Sequence, residues 1–192
     1  MIKTLITIGL CALTIFGLAS GMEAKKNPMV ELTIGDRGTV TIELYEKEAP
    51  QTIKRMLELF EDGFYTNMAF HRVIPNFVAQ TGDPKSKEMK DSDIMDRADG
   101  QGSTQGLGNG GSGKNIPFEV NDLKHVRGTL GMALSAPKSD TGDSQWFINL
   151  KDNTHLNGSY CVFGKVVKGL DLIEEICRGD RITKVKVHKA EK

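Results

Sequence analysis

Residues 70–83 read FHRVIPNFVAQTGD. This β-branched and aromatic run closes with a Thr-Gly-Asp turn and contains one interior proline, so it predicts an edge or bulged strand rather than a helix. Side chains alternate between the two faces of a strand, and a bulge at the proline would re-aim Arg72, Phe77 and Gln80 toward one site. The segment would then offer a fixed cation, an apolar surface and an amide in one place.

Short strands are predicted on both sides of this run. Residues 29–45 alternate apolar and polar positions around a Gly-Asp-Arg-Gly turn, which predicts a hairpin. A helix follows from about residue 50 and ends at Gly63. Its apolar positions have helical spacing and are Ile53, Met56, Leu57 and Phe60.

The second half of the chain continues the pattern of short strands. Strands are predicted at 128–135, 142–150, 160–166 and 182–188. A second short helix is marked by Leu170, Ile173 and Cys177. Many short strands with two isolated helices indicate a mainly β protein built as a closed antiparallel barrel.

Residues 84–115 form a polar, glycine-rich stretch without hydrophobic periodicity. Its sequence matches the pattern G-x-G-x-x-G at 106–111 and most of the phosphate-binding loop pattern at 108–114. No apolar strand precedes these glycines, however, and Ile116-Pro117 follows where a helix would have to begin. Asn115 also stands where a magnesium-binding Ser or Thr belongs. The stretch is therefore predicted to be a surface loop rather than a nucleotide site.

The first 21 residues differ from the rest of the chain. Lys3 precedes an apolar run from Leu5 to Ala19, and small residues occupy 19–21. This pattern predicts a secretory signal peptide over residues 1–21, cleaved after Gly21 or Ala19. The alternative is an uncleaved membrane anchor. The apolar run lies at or just below the shortest length that spans a bilayer. We expect export to the periplasm.

Composition narrows the classes of function for the remaining domain, residues 28–190. The chain carries 25 Lys and Arg against 25 Asp and Glu without a long basic block, which argues against nucleic acid as a partner. Four histidines without H-E-x-x-H or G-x-S-x-G argue against a metal enzyme or a hydrolase. Cys161 and Cys177 could form a disulfide outside the cytosol, but unpaired thiols are favoured because a domain of this size needs no covalent staple.

The pattern F-H-R-x-I-P-x-F-x-x-Q-x-G-D at 70–83 resembles the signature of the cyclophilins, the cyclosporin-type peptidyl-prolyl cis-trans isomerases. Three later segments are also similar to that family: GTLGMA at 128–133, SQWFI at 144–148 and VFGKV at 162–166. The resemblance covers Met29 to Lys189. It implies a closed eight-stranded antiparallel barrel with a short α-helix over each end, in which residues 85–103 are an insertion relative to the shortest members.

Isomerisation of an X-Pro bond needs no nucleophile, metal or cofactor, because it is a rotation about an amide with a barrier of about 18–20 kcal/mol. The resemblance implies that Arg72 donates to the prolyl nitrogen in the twisted state and that Gln80 holds the substrate carbonyl. It implies further substrate-binding positions at Phe77, Val78, Ala133, Gln145, Phe147, Leu156 and Tyr160. His71 is predicted to be a supporting scaffold residue rather than an acid or base.

The expected partners are proline-containing segments of unfolded or exported proteins, bound by a monomer. His155 stands where other members carry a tryptophan that favours cyclosporin, so cyclosporin binding is expected to be weak. The alternative is a binding or chaperone module that kept the groove without useful catalysis. That module would bind prolyl peptides without accelerating their exchange, and Arg72 argues against it.

Overall fold

The computed structural model describes residues 26–95 and 106–189, and the predicted signal peptide lies outside these ranges. The described chain is mainly β. Its strands are β1 (Met29–Ile34), β2 (Gly38–Leu44), β3 (Met68–Ala69), β4 (Arg72–Ile74), β5 (Val78–Thr81), β6 (Thr129–Met132), β7 (Trp146–Asn149), β8 (Val162–Lys168) and β9 (Arg181–His188). They form one antiparallel sheet in the order β3-β9-β1-β2-β8-β6-β7-β5-β4. Across the described ranges, no helix is long and apolar enough to cross a membrane.

The predicted closed, eight-stranded barrel is wrong in two respects. The sheet has nine strands, and within the described residues no ladder joins the two edge strands, β3 and β4. Phe70 and His71 are the residues that separate these two edges along the chain. The edges must therefore lie close together, and the sheet has to curl. The result is an open, curled antiparallel sheet around one core.

The run at 70–83 forms a hairpin and not the single bulged strand that its composition predicts. β4 pairs with β5, and the Phe77 N–H donates to the Ile74 carbonyl at 3.0 Å across the turn. Asn76 lies in the left-handed region, with a φ of 57°. Pro75 fixes the first central residue of the turn, and asparagine tolerates a positive φ at the second. Proline followed by asparagine is therefore a turn signal here rather than a bulge signal.

The predicted amphipathic helix is confirmed as α1 (Pro50–Glu61). Leu57 is only partly buried, whereas Leu59 joins the buried side. The buried residues of α1 are Thr52, Ile53, Met56, Leu59 and Phe60.

The second predicted helix is a single 3-10 turn at Leu172–Glu175 instead of an α-helix. Gly169 and Gly179 flank it with positive φ values of 78° and 91°, so the chain changes direction before a longer helix can form. Within the described ranges the other helical segments are α2 (Asp91–Met95) and 3-10 turns at Pro84–Lys87 and Thr154–Leu156.

Trp146 is fully buried in the core on the inner face of the sheet. Its ring meets those of Phe60, Tyr65 and Phe70 at centroid distances of 6.4, 6.1 and 6.3 Å. Successive residues of a strand point to opposite faces, so the next residue of β7, Phe147, is directed away from this cluster. The buried tryptophan thus fixes the face on which Phe147 lies.

Glu119 closes the amino terminus of α1 from a distant part of the chain. Ala49 precedes the helix and makes no side-chain cap. The Glu119 carboxylate instead accepts hydrogen bonds from the backbone N–H of Gln51 at 2.9 Å and of Thr52 at 2.7 Å. A negative charge at this end satisfies unpaired helix donors and interacts favourably with the helix dipole.

Glu119→Ala is expected to lower the free energy of unfolding by about 1–2 kcal/mol, because two helix N–H groups lose their acceptor. Urea denaturation followed by circular dichroism measures the change. Asp122→Ala removes a nearby exposed carboxylate and serves as the control, with an expected effect below about 0.5 kcal/mol. Equal stabilities of the two variants would contradict the capping role.

Candidate active site

Four neighbouring strands place a row of residues on one face of the sheet. Arg72 of β4 lies directly opposite Gln80 of β5. Gln80 lies opposite Phe147 of β7, which in turn lies opposite Gly131 of β6. Directly opposed residues of antiparallel strands project to the same face. A guanidinium, an amide and an aromatic ring therefore lie side by side.

A small pocket of about 210 Å³ opens on this face. It is lined by Arg72, Phe77, Val78, Gln80, Ala133, Leu134, Phe147, Leu156 and Tyr160. Leu134 is not among the residues that the sequence predicts for the site. Gln145 and His71 are predicted for it and lie outside this lining.

Phe147 forms the floor of the small pocket and is held by rings on two sides. The His125 ring stacks on it at a centroid distance of 5.7 Å, and Tyr160 meets it edge-on at 6.1 Å. Gly131 leaves the space that the ring needs, because a Cβ there would lie 2.3 Å from Phe147 Cζ. The orientation of Phe147 is thus determined by its neighbours and not by a free rotamer choice.

His125 is a supporting residue that the sequence did not reveal. It is fully buried, and burial lowers the pKa of its imidazole. The Asn149 side-chain amide donates to Nδ1 at 3.1 Å, which leaves Nε2–H to donate to the Tyr160 carbonyl at 3.1 Å. The ring is therefore neutral, with a defined tautomer. Its partners Asn149 and Tyr160 lie 24 and 35 residues away in the sequence, so no local motif could have marked it.

Arg72 is held over an aromatic surface at the rim of the small pocket. Its guanidinium carbon lies 5.7 Å from the centre of the Phe77 ring. The Phe77 ring in turn stacks on His155, with 5.9 Å between centroids and 18° between planes. A cation over a ring face is attracted by the ring quadrupole, which limits the positions that the guanidinium can take.

Gln145 connects Gln80 to the glycine-rich loop. The Gln80 amide donates to the Gln145 side-chain oxygen at 3.0 Å. The Gln145 amide then donates to the carbonyls of Gly108 at 2.9 Å and Gly110 at 2.8 Å. Gln80 is thereby oriented by a neighbour that is itself fixed at two points.

A wider cavity of about 590 Å³, here called the side cavity, adjoins the small pocket and shares Gln80, Ala133 and Leu134 with it. It is lined by Gln80, Gly108, Asn109, Gly110, Gly111, Asn115, Ala133, Leu134, Ser135, Thr141, Asp143 and Gln145. A bound peptide that fills the small pocket can therefore extend directly into the side cavity.

Asp83 fixes the glycine-rich loop from the end of the 70–83 run. Its side chain is fully buried and accepts hydrogen bonds from the backbone N–H groups of Lys85 at 2.9 Å, Gly110 at 3.0 Å and also Gly108. Gly110 has to be glycine, since a Cβ there would lie 2.1 Å from the Asp83 carboxylate. Loop amides that could have faced a phosphate are thus turned toward a carboxylate, in line with the prediction that this loop is not a nucleotide site.

A sequence profile described as cyclophilin type peptidyl-prolyl cis-trans isomerase/CLD matches residues 29–192. The chain belongs to the cyclophilin family. The resemblance carried by residues 70–83 is thereby confirmed, and with it the isomerase class of the enzyme.

Named relatives agree with this assignment. A peptidyl-prolyl cis-trans isomerase of Synechococcus elongatus is 35% identical over 154 residues, covering 79% of this chain and 91% of the relative. A crystal structure of a cyclophilin-type isomerase of Cryptosporidium parvum superimposes with a TM-score of 0.68 at 27% identity, covering 86% of this chain and 99% of that one. A second structure of that protein, determined in the presence of the dipeptide Ala-Pro, gives a TM-score of 0.65 at 28% identity, with 84% and 99% covered.

Both cysteines of this cyclophilin domain are free, which confirms the prediction of unpaired thiols. Cys161 is buried, and burial raises its pKa to about 12, whereas Cys177 is exposed. A thiol with so high a pKa stays protonated at neutral pH and is a poor nucleophile. Among the described residues, no group of three His, Cys, Asp or Glu side chains could hold a metal ion.

His71 is buried directly before β4, with 7% of its surface exposed. Burial lowers the pKa of His71 to about 4; Asp83 opposes this shift, and the positive charge of Arg72 adds to it. The ring is therefore neutral near pH 7, whereas a general acid or base works best with a pKa near the operating pH.

The buried His71 is expected to make folding stability depend on pH. Above the ordinary histidine pKa of about 6.5, the ring is neutral in the folded and the unfolded chain. Below that pH the unfolded chain binds a proton, which the folded chain takes up only near pH 4. Stability is therefore lost as the pH falls through this window, by roughly 2–3 kcal/mol between about pH 7 and pH 4.5.

Urea unfolding of the wild type and of His71→Gln across this pH window measures the effect. The variant lacks the titrating ring and should lose less stability on acidification, by most of the amount given above. His125 is retained in both proteins and contributes in the same direction, so only the difference between them counts. Parallel curves would show that His71 is not the group responsible.

Proposed function

We propose that this cyclophilin accelerates cis-trans isomerisation of X-Pro bonds in exported proteins, with Arg72 as the catalytic donor and the small pocket as the proline site. The observation that carries the proposal is the alignment of Arg72, Gln80 and Phe147 in one cross-strand row. In this row Arg72 supplies the hydrogen-bond donor, Gln80 holds the substrate carbonyl and Phe147 provides the apolar surface for the proline ring.

The reaction needs a surface that prefers the twisted amide. In the planar states the nitrogen lone pair is delocalised into the carbonyl, and rotation interrupts that delocalisation. A hydrogen bond to the prolyl nitrogen is then strongest in the twisted state, when the lone pair is localised. Every 1.36 kcal/mol of such preference is about a tenfold gain in rate.

Arg72 is suited to supply that hydrogen bond. Its guanidinium stays charged at all physiological pH values and offers several donors in a fixed plane. The Phe77 ring, 5.7 Å from the guanidinium carbon, restricts its position. A donor that is already in place when the amide twists costs little reorganisation during the reaction.

The small pocket has the size and polarity for a proline ring. Its apolar part is formed by Phe147, Val78 and Leu156, and its volume is about 210 Å³. Gln80 lies between this apolar part and Arg72 on the sheet, where its amide can hold the substrate carbonyl while the other side of the bond rotates. The Cryptosporidium parvum relative studied in the presence of Ala-Pro supports a prolyl ligand for this fold.

Arg72→Ala is expected to reduce kcat/KM for a short X-Pro peptide about 100-fold, because the donor to the twisted amide is removed. NMR exchange spectroscopy measures the catalysed interconversion of the cis and trans peptide directly. Arg72→Lys keeps the charge but loses the planar set of donors, so it should fall between the wild type and Arg72→Ala.

Arg37→Ala is the matched control, since it removes a guanidinium that pairs with Asp180 and lines neither cavity. It should retain wild-type exchange. Peptide binding by the wild type without faster exchange would overturn the enzymatic role and leave a proline-binding module. Undiminished catalysis by Arg72→Ala would instead remove Arg72 from the mechanism.

Export is proposed from residues 1–21, whose basic start, apolar run and small residues match a cleavable signal. We expect a monomeric mature domain in the periplasm that binds cyclosporin weakly, because His155 stacks on Phe77 where other members carry tryptophan. The intact mass of the protein recovered from the expressing cell tests the signal. A mass equal to that of a chain that begins after Ala19 or Gly21 agrees with export. A full-length, membrane-bound product would indicate an anchor.

A further inference from the structure

Ala136–Pro137 differs from the other X-Pro bonds of the chain in its exposure. All six prolines lie in the described ranges, and at five of them the residue before the proline is buried or half-buried. These five preceding residues are Asn27, Ala49, Ile74, Asp83 and Ile116. Ala136 and Pro137 are both exposed, so theirs is the one X-Pro bond of the six that a second molecule can reach on both sides.

The loop that carries this bond lies at the rim of the small pocket. It spans residues 133–145 between β6 and β7 and is here called the β6–β7 loop. Its first two residues line the pocket. The Lys138 N–H donates to the Ser159 carbonyl at 3.0 Å, directly before Tyr160 of the same lining. Neither residue of the exposed bond belongs to that lining, so the bond lies beside its own pocket and outside it.

A tight turn determines the conformation around the exposed bond. The Ala136 carbonyl accepts hydrogen bonds from the Ser139 N–H at 3.3 Å and from the Ser139 hydroxyl at 2.7 Å. Lys138 has a φ of 59°, so Pro137 and Lys138 are the central residues of a turn with the positive φ of type II. A ligand that is already ordered loses little conformational entropy when it binds. The turn therefore presents Pro137 to a pocket at little entropic cost.

Loop and pocket are adjacent, which permits a reciprocal contact between two copies of the chain. In a two-fold dimer, residue i of one copy contacts residue j of the other, and j contacts i in return. An axis that brings Pro137 of one protomer to the small pocket of the other therefore brings the partner's Pro137 to the first pocket. The formal net charge of the chain is zero, so charge repulsion between copies does not oppose this contact.

We propose that Ala136–Pro137 of a second copy of this chain binds in the small pocket, forming a reciprocal dimer in which both active sites are blocked. This proposal rests on the proposed function, since the pocket is the proline site of the isomerase. The turn is bound without being isomerised, because rotation would break the hydrogen bonds that close it. The contact is small, so the dissociation constant is on the order of 1 mM and the dilute domain is monomeric.

NMR spectra of the labelled mature domain at increasing concentration test the dimer. Between about 0.05 and 1 mM protein, the amide signals of Ser139 in the loop and of Phe147 and Leu156 at the pocket should shift together. An excess of a short Ala-Pro peptide should reverse the Ser139 shift, because the peptide displaces the loop from the pocket. Spectra that do not change with concentration would overturn the proposal, as would shifts confined to other surfaces.

Pro137→Ala removes the proline and leaves the pocket intact. Alanine can adopt the φ of proline, so the variant should fold, retain wild-type catalysis in dilute solution and show no concentration-dependent shifts. Unlabelled wild type in excess should still shift the pocket signals of labelled Pro137→Ala, whereas unlabelled Pro137→Ala should not. Pro117→Ala is the matched control, because Pro117 is exposed but follows the buried Ile116, and it should behave as the wild type.

Shifts that persist in Pro137→Ala alone would overturn the proposal. If that variant does not fold, the peptide competition in the wild type decides, and a Ser139 shift that the peptide leaves unchanged would overturn it.

Exchange of a short X-Pro peptide with dilute wild type separates this proposal from the proposed function. Accelerated exchange together with spectra that do not depend on concentration would leave the isomerase in place and remove the dimer. If exchange is not accelerated, the isomerase function fails, whereas joint shifts at the loop and the pocket would still show the reciprocal dimer.

Discussion

The register between β4, β5, β7 and β6 is the constraint on which the candidate site depends. Because side chains alternate along a strand, a slip of one residue would move a whole set of side chains to the other face. On β7 such a slip would exchange Trp146, which is fully buried among three aromatic rings, with Phe147. The cost of exposing the tryptophan therefore protects the position of Phe147, and through the paired strands that of Gln80 and Arg72.

The 70–83 run contributes to the site at both of its ends. Arg72 and Gln80 face each other across the hairpin, and Asp83 follows it to fix the glycine-rich loop. Gln145 then connects that loop to Gln80. Hydrogen bonds of fixed direction thus join the loop, the hairpin and the neighbouring strand. They hold the Gln80 side chain in position, although the strands that carry the site are short.

Local sequence periodicity is sufficient to predict much of the fold. The first hairpin, α1 and β9 follow from alternation or helical spacing within single segments, and each is present. The bulge predicted at Pro75 is wrong because Asn76 after it supplies the positive φ of a turn. The second helix is shorter than its apolar spacing predicts because glycines flank it. The short edge strand β3 and the open edges of the sheet depend on pairing between distant segments, which no local pattern encodes.

The candidate site also contains some residues that the sequence predicts and others that it does not. Eight of the residues that the family pattern predicts lie around one pocket, since the pattern itself reflects their common environment. His125 and Glu119 carry no such mark, because their roles arise from contacts with residues remote in sequence. Glu119 is 67 residues from Thr52, whose N–H donates to it, and His125 is 24 residues from the amide of Asn149.

The proposed isomerase site requires a substrate proline to occupy the small pocket at the end of the cross-strand row. Intermolecular nuclear Overhauser effects between the ring hydrogens of a proline peptide and the labelled protein test it most directly. We expect contacts from the proline ring to Phe147 and Leu156. Contacts confined to residues of the side cavity, or to a surface away from both cavities, would contradict it.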